Sequence, residues 1–182
     1  MPSRIECPPP RYGRVGKPDA AEAFWRFSVA FYERPAVAEA LLALQDRDGR
    51  DVNLVLFALW LGVSGRGALD AARLAAAEFA VAAFRVEIVE PLRRVRRRLK
   101  QDAAADLRDL RRRLQEVELD AEKAAQRRLA ATAPEEGPIA PLADRVAAAG
   151  ASLGVYLGPD AVGSAEARLL LNALSAFVTA AE

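Results

Sequence analysis

Asn53 carries the strongest chemical signal of this sequence, because it places a carboxamide in the otherwise apolar segment 52–62. A buried amide costs about 1–3 kcal/mol unless its donors and its acceptor are matched. In one interpretation the amide faces a ligand, with Gln45, Asp51 and Trp60 as further ligand-binding candidates. In the other, which is the more common role of a buried amide, Asn53 caps the first turn of a helix or bonds to Gln45.

Glutamates form the second group with chemical potential. Glu118 and Glu122 lie one helical turn apart on one face, and Glu87 comes shortly before Pro91. Carboxylates on facing helices of a bundle can hold divalent metals, so Glu87, Glu118 and Glu122 are the candidate metal ligands. The alternative is that these side chains form ion pairs with basic residues on neighbouring turns, which are common and contribute little to stability.

Positive charge is concentrated over residues 93–100, where six of the eight residues are basic. Such a cluster can bind the phosphates of nucleic acid or of an anionic membrane surface. No aromatic residues are interleaved for base stacking, so binding to nucleic acid would be non-specific. The alternative is a solvated helix surface, which the formal net charge of +1 favours. The candidate anion-binding residues are Arg93, Arg94, Arg97, Arg98 and Lys100.

Composition limits the chemistry that these groups can perform. The chain has 182 residues, no histidine and one cysteine, which excludes Ser-His and Cys-His catalysis, imidazole metal sites and a disulfide framework. No apolar run reaches the roughly 20 residues of a transmembrane helix, and the first residues lack the apolar region of a secretory signal. We therefore expect a cytoplasmic protein without a cofactor.

Apolar spacing and helix signals divide the chain into helices, and no segment has the alternation of a strand. Alanine, the strongest helix former, fills 40 of the 182 positions. We predict a disordered, proline-rich tail over 1–18 and a helical core domain over 19–132. A linker with three prolines follows over 133–141, and a C-terminal pair of helices over 142–182 is expected to pack on the core.

The core domain is expected to form around the segment 51–62, which is too apolar to have a solvent-facing side. One helix capped by Asp19 and a second that begins at Pro35 should precede it. Residues 70–131 should form long charged helices that Pro91 kinks or divides. Within them a strict 3-4-3-4-3 spacing predicts an antiparallel pair or a short coiled coil. That stripe consists of Leu107, Leu110, Leu114, Val117, Ala121 and Ala124.

Four motifs surround the apolar segment: Phe24-Trp25-Arg26-Phe27-Ser28, Leu44-Gln45-Asp46, Asp51-Val52-Asn53-Leu54 and Leu59-Trp60-Leu61-Gly62. Together they resemble a family of short, uncharacterised proteobacterial proteins that is defined only as a domain of unknown function. The resemblance extends over about residues 20–130. It implies a bacterial, cytoplasmic, all-helical protein and carries no activity.

These observations predict an all-α, single-domain bundle of five to seven helices with the helix 51–62 buried at its centre. The function that the sequence favours is non-catalytic contact with a protein partner, which includes a second copy of the chain. One alternative is binding of nucleic acid or an anionic membrane surface through residues 93–100. Another is a small-ligand-binding or divalent-metal-dependent enzyme that uses Asn53, Asp51 and the three candidate metal ligands.

Overall fold

The computed structural model describes residues 19–100 and 105–180, and all regular secondary structure within them is helical. The prediction of an all-α, single-domain protein is therefore confirmed. The predicted tail over 1–18 lies outside the described residues. The sequence also suggests a polar break at Lys100, Gln101 and Asp102, of which Lys100 is the last residue of a helix and the other two lie outside the described residues.

Nine α-helical segments make up the described chain. A π-helical turn, Arg85–Val89, joins the fourth segment to the fifth, so Ala71–Lys100 is one continuous helix. Counted in this way, the described residues form eight helices, and the single turn α8 accounts for the difference from the predicted five to seven. The segments are α1 Ala20–Tyr32, α2 Pro35–Asp48, α3 Val52–Val63, α4 Ala71–Phe84, α5 Glu90–Lys100, α6 Ala105–Ala130, α7 Leu142–Leu157, α8 Pro159–Val162 and α9 Ala165–Thr179.

Local signals begin and end the first three helices as expected. The carboxylate of Asp19 accepts a hydrogen bond from the backbone N–H of Glu22 at 2.7 Å, which caps α1. The carboxylate of Asp51 accepts from the backbone N–H of Asn53 at 2.8 Å, which caps α3. Gly49 ends α2 in the left-handed region with a φ of 64°, a conformation that glycine adopts without a Cβ penalty.

α3 is the central helix, and every residue from Val52 to Gly62 is buried. It contacts α1, α2, α6 and α7. The closest approach is at Gly62, where a Cβ atom would lie 2.2 Å from the backbone nitrogen of Ala149 in α7. The backbones of α3 and α7 therefore touch. α7, which the sequence did not indicate as a neighbour, runs along the whole of α3, from Arg145, which donates to the carbonyl of Val63, to Tyr156, whose hydroxyl accepts from the backbone N–H of Asp51.

Pro91 does not divide the long helix. The π turn Arg85–Val89 immediately precedes it, and the backbone N–H of Glu90 donates to the carbonyl of Arg85, five residues back. Because proline has no N–H and its ring displaces the preceding turn, the hydrogen-bond pattern must change locally before it. A π turn is one of the known ways in which a helix makes this adjustment.

α5 and α6 run antiparallel, because Arg93 pairs with Glu122 while Arg96, one turn later, pairs with Glu118. The apolar stripe of α6 is therefore only partly buried against other helices of the same chain. Ala121 is buried, whereas Leu110 and Val117 on the same stripe remain exposed.

The C-terminal helices share the core with α3. Leu153 of α7 and Leu170 and Leu174 of α9 are fully buried in the same apolar cluster as the residues of α3. The segment before α7 packs against the turn between α3 and α4, where the backbone N–H of Gly137 donates to the carbonyl of Gly65 at 3.0 Å. None of the helices described within 19–100 and 105–180 combines the length and the apolar character that crossing a membrane requires.

Candidate functional site

A cleft of about 540 Å³ opens beside the N-terminal half of α3. α1 and the end of α2 form one side, and α5 and α6 form the other. Charged side chains line the α5–α6 side and polar groups lie on the floor. The apolar part of the wall consists of Trp25, Val29, Leu42, Val52, Leu56 and Leu119.

A chain of hydrogen bonds between four side chains crosses the floor of the cleft. The guanidinium of Arg93 donates to one carboxylate oxygen of Glu122, and the Nδ2 amide of Asn53 donates to the other. The Nε2 amide of Gln126 in turn donates to Oδ1 of Asn53 at 3.0 Å. A carboxylate only accepts hydrogen bonds, so Glu122 fixes the direction of the whole chain. The side chain of Asn53 therefore links α3 to α6 rather than bonding to Gln45.

The last acceptor of this chain has no donor. Oε1 of Gln126 is buried and accepts no hydrogen bond from any residue that the structure describes, and the hydroxyl of Ser28 in α1 is likewise unmatched. An unmatched buried polar atom costs about 1–3 kcal/mol, and native proteins keep few of them. Two residues that line the cleft, Gln126 and Ser28, therefore hold an unmatched acceptor and an unmatched hydroxyl.

The side chains of Glu118 and Glu122 both line the cleft, but each accepts hydrogen bonds from an arginine. Both carboxylate oxygens of Glu118 accept hydrogen bonds from Arg96, and Glu122 is held by Arg93 and the floor amide. Glu87 is exposed and does not line the cleft. In the part of the chain that the structure describes, no group of three or more acidic or cysteine side chains is arranged to hold a metal ion. The three candidate metal ligands thus do not form one centre.

A second cavity, of about 380 Å³, adjoins the cleft at the N-terminal end of α3, and we call it the arginine basin. Gln45, Arg93 and Arg97 line both cavities. Five arginines and three carboxylates surround the basin, which leaves an excess of two positive charges. These residues are Arg50, Arg85, Arg93, Arg94, Arg97, Asp46, Asp51 and Glu90.

The arginine basin contains part of the predicted basic cluster. Arg94 lines it beside the two shared arginines, whereas Arg98 and Lys100 lie farther along α5 and line neither cavity. Arg50 and Arg85 join the basin from the loop before α3 and from the π turn. Sequence reasoning missed these two because each is separated from the cluster along the chain and only the fold brings them to it.

The remaining ligand-binding candidates lie in three places. Gln45 lines both cavities, so it is close to Asn53. Asp51 caps α3 and its carboxylate lies 3.8 Å from the guanidinium of Arg85, in the arginine basin. Trp60 lies at the other end of α3, inside the core, where its ring packs against aromatic rings of α1 and α3. The structure therefore brings Gln45 and Asn53 together and leaves Trp60 outside the site.

Burial changes the acidity of two tyrosines near these cavities. It raises the pKa of Tyr32, which lines the cleft, above the ordinary value of 10. It raises the pKa of Tyr156 to about 12, and the Tyr156 hydroxyl accepts a hydrogen bond from the backbone N–H of Asp51 at 2.8 Å. Both side chains stay protonated at neutral pH, so Tyr32 offers the cleft a neutral hydroxyl that donates as well as accepts.

The sequence does not single out Ser28 or Gln126. A signal for Gln126 does exist, because Glu118, Glu122 and Gln126 recur every four residues and so share one helix face. Ser28 has a comparable signal, because it lies four residues after Phe24 and three before Phe31 and so shares their buried helix face.

The fold and the site define the class: a single-domain, all-α protein with a polar-floored cleft between its helices. Residues 23–129 match the family model described as a protein of unknown function (DUF2390), and the chain belongs to this family. Every residue that lines the cleft or the arginine basin falls within the match. Neither a curated protein nor a solved structure matches the chain.

Proposed function

We propose that this protein is a non-catalytic binding protein and that its cleft receives a small molecule. The observation that carries the proposal is the unmatched Oε1 of Gln126 at the end of the hydrogen-bond chain. An unused acceptor is satisfied by a donor, so the ligand presents an N–H or O–H group at this point. The hydroxyl of Ser28 offers a second polar contact beside it.

The apolar wall determines the size and the apolar character expected for the rest of the ligand. A volume of about 540 Å³ lies within the range of roughly 300–1,000 Å³ of small-molecule sites, which are mostly apolar with a few placed polar groups. Trp25, Val29 and Leu119 supply such a wall, on which an aromatic or branched aliphatic body gains roughly 25 cal/mol per Å² buried. The expected ligand therefore has an apolar body and one donor.

Two features favour binding over catalysis. The chain has no histidine. Two of the three carboxylates that line the cleft, Glu118 and Glu122, already accept hydrogen bonds on both oxygens, Glu118 from Arg96 and Glu122 from Arg93 and Asn53. A general base must reach the proton that it removes, and these oxygens are engaged elsewhere.

N-phenyl-1-naphthylamine tests the proposal, because it joins an aromatic body to one N–H donor and fluoresces strongly in apolar surroundings. We expect saturable binding to the wild-type protein and about tenfold weaker binding to Gln126→Met, equivalent to 1.4 kcal/mol. The N-methylated derivative has no donor, so wild type and variant should bind it equally. Equal losses for both compounds would contradict the role of Gln126.

A matched pair of variants places the probe. Val29 lines the cleft and Val155 lies on α7 away from it, and both are 38 % exposed. Val29→Trp should fill the cleft and reduce probe binding at least about tenfold, or 1.4 kcal/mol, while Val155→Trp should bind like wild type. The same affinity in both variants would show that the probe binds elsewhere.

Contact with a second copy of the chain is the other candidate function, and the outer face of α4 favours it. Phe79 at its centre is 88 % exposed. Contiguous apolar surface of this kind commonly marks a protein contact. The residues of this face follow a 4-3-4-3 spacing and are all exposed: Ala72, Ala76, Phe79, Ala83 and Val86.

Charges at the two ends of this face favour an antiparallel pair. Arg73 follows Ala72 at one end, and Glu87 follows Val86 at the other. If two faces pair antiparallel around Phe79, each Arg73 lies opposite the Glu87 of the other copy. A parallel pair would place like charges together, which is unfavourable.

Sedimentation equilibrium tests this second candidate. We expect a concentration-dependent dimer for the wild type and a monomer for Phe79→Glu, because the substitution buries a charge at the centre of the interface. Ile139→Glu is the control, since Ile139 is also an exposed apolar residue, at 70 %, but lies outside α4. A monomeric wild type, or a dimer in both variants, would exclude pairing through this face.

A further inference from the structure

We propose that the arginine basin binds an anionic group, phosphate or carboxylate, on the same molecule whose apolar body lies in the cleft. The ligand class is thus an amphipathic small molecule with an anion at one end and a hydrogen-bond donor at the other. The apolar part of this proposal rests on the proposed function of the cleft. The anionic part rests on the residues of the basin alone.

Several guanidinium donors in the basin are unused. Arg94 makes neither an ion pair nor a hydrogen bond with any residue in the described ranges. Arg85 lies 3.8 Å from Asp51 and 3.5 Å from Glu90, separations at the limit of hydrogen bonding or beyond it. Its buried Nε has no hydrogen-bond partner among the described residues, and neither has the Nε of Arg50.

These donors suit an oxyanion. A guanidinium presents paired N–H groups in a planar fork that matches the oxygens of carboxylate and phosphate. Arg50 is already held in place, because its two terminal nitrogens donate to the carbonyls of Tyr156 and Leu157 at 3.2 and 2.8 Å. Five arginines line the basin against three carboxylates. Arg93 is already paired with Glu122 of the cleft, so one positive charge remains in excess, which an anionic group would neutralise.

The position of the basin gives the orientation of the ligand. Gln126 and Ser28 line only the cleft, whereas Arg50, Arg85 and Arg94 line only the basin. The shared residues Gln45, Arg93 and Arg97 form the border between the two cavities. A molecule that donates to Gln126 therefore extends its other end past this border toward the unused arginines.

Two probes that differ by one anionic group test the proposal. N-phenyl-2-naphthylamine is neutral, and 2-anilinonaphthalene-6-sulfonate has the same rings and N–H with a sulfonate added at the far end of the naphthalene. We expect the anionic probe to bind the wild type at least tenfold more tightly, with an advantage that shrinks as salt is added. Equal affinities of the two probes would contradict anion binding in the basin and leave the proposal for the cleft unaffected. Failure of the neutral probe alone to bind would contradict the proposal for the cleft.

Charge-reversal variants on α5 locate the effect. Arg94→Glu and Lys100→Glu change the net charge equally, but only Arg94 lines the basin. We expect Arg94→Glu to remove the tenfold preference without changing the neutral probe, and Lys100→Glu to keep it. Cooperative thermal unfolding of each variant verifies the native state. Equal losses in both variants would make the attraction a general effect of net charge and overturn the basin.

Inorganic phosphate tests the basin without the cleft. At constant ionic strength, phosphate should raise the Tm of the wild type and of Lys100→Glu, because a ligand of the native state stabilises it, but not that of Arg94→Glu. Vesicles of phosphatidylglycerol then separate the two sources of the anion. If the protein cosediments with the vesicles and only Arg94→Glu abolishes this, the anion belongs to a lipid headgroup. If the wild type does not cosediment, the anion belongs to a soluble molecule. A phosphate effect that persists in Arg94→Glu would overturn the proposal.

Discussion

The two halves of α3 are both apolar in sequence apart from Asn53, and they differ in what surrounds them. The C-terminal half, from Phe57 to Gly62, packs against α1 and α7 with backbone contact at Gly62. The N-terminal half borders the cleft, where it meets the charged helices α5 and α6 through Asn53. Protein atoms fill the space around the C-terminal half. Beside the N-terminal half they leave a cavity and unmatched polar groups.

This difference separates stability from binding within one helix. Close packing fixes the C-terminal half, since dense contacts and buried apolar area dominate folding stability. The N-terminal half keeps polar groups whose partners are incomplete, an arrangement that is costly unless a ligand completes it. A substitution in the packed surroundings of the C-terminal half should therefore act mainly on stability, and one in the cleft beside the N-terminal half should act mainly on binding. The following experiments test that contrast.

The largest expected effect is in the packed half. Leu59 is fully buried, whereas Leu42 is 42 % exposed on the cleft wall. Leu59→Ala should lower the free energy of unfolding by about 2–5 kcal/mol, because it removes buried area and leaves a cavity. Leu42→Ala should cost less than about 1 kcal/mol and should weaken probe binding instead. Urea unfolding with fluorescence titration measures both, and equal destabilisation would remove the contrast.

A smaller loss is expected from the helix crossing. Gly62→Ala places a Cβ atom 2.2 Å from the backbone nitrogen of Ala149, so α3 and α7 must separate, at a cost of about 1–3 kcal/mol or more. Gly163→Ala is the matched control, because nothing lies within 4 Å of its Cβ position. Thermal unfolding of both variants should show a lower Tm only for Gly62→Ala.

Alkaline pH probes the start of α3. Burial raises the pKa of Tyr156 from 10 to about 12, so the folded state keeps its proton where the unfolded state loses it. This stabilisation is complete below pH 10 and is lost as the pH rises through 12, which lowers the free energy of unfolding by on the order of 1–2 kcal/mol. Tyr156→Phe should be less stable than wild type below pH 10 and lack this decline. Parallel pH curves for the two proteins would contradict it.

The smallest stability effect is expected at the floor of the cleft. Asn53→Leu alone strands the amide of Gln126 and one carboxylate oxygen of Glu122, and it should cost about 1–3 kcal/mol. The double variant Asn53→Leu/Gln126→Leu strands only the Glu122 oxygen, so we expect it to be at least as stable as Asn53→Leu and to lose probe binding. Additive losses in the double variant would assign the two amides to the stability of the fold rather than to a ligand.

The sequence predicts the role of a residue only where that role depends on neighbours within a few positions along the chain. The burial of α3, its cap at Asp51 and the importance of Asn53 follow from the sequence, because an apolar run and a lone amide are visible within a few residues. The partners of Asn53 on α6 do not, since they depend on how α5 and α6 fold back. Gly62 indicates the end of α3, which lies one residue later at Val63, but the sequence does not show that Ala149 packs against this glycine.

The chain contains two tryptophans, and the fold assigns one to each region: Trp25 lines the cleft beside the ammonium group of Lys123, and Trp60 is buried in the core. Their emission therefore reports on different events, entry of a guest in one case and loosening of the interior in the other. Replacing Trp60 by phenylalanine would leave Trp25, on the cleft wall, as the one tryptophan of the chain. The protein then becomes its own label-free sensor for whatever it captures.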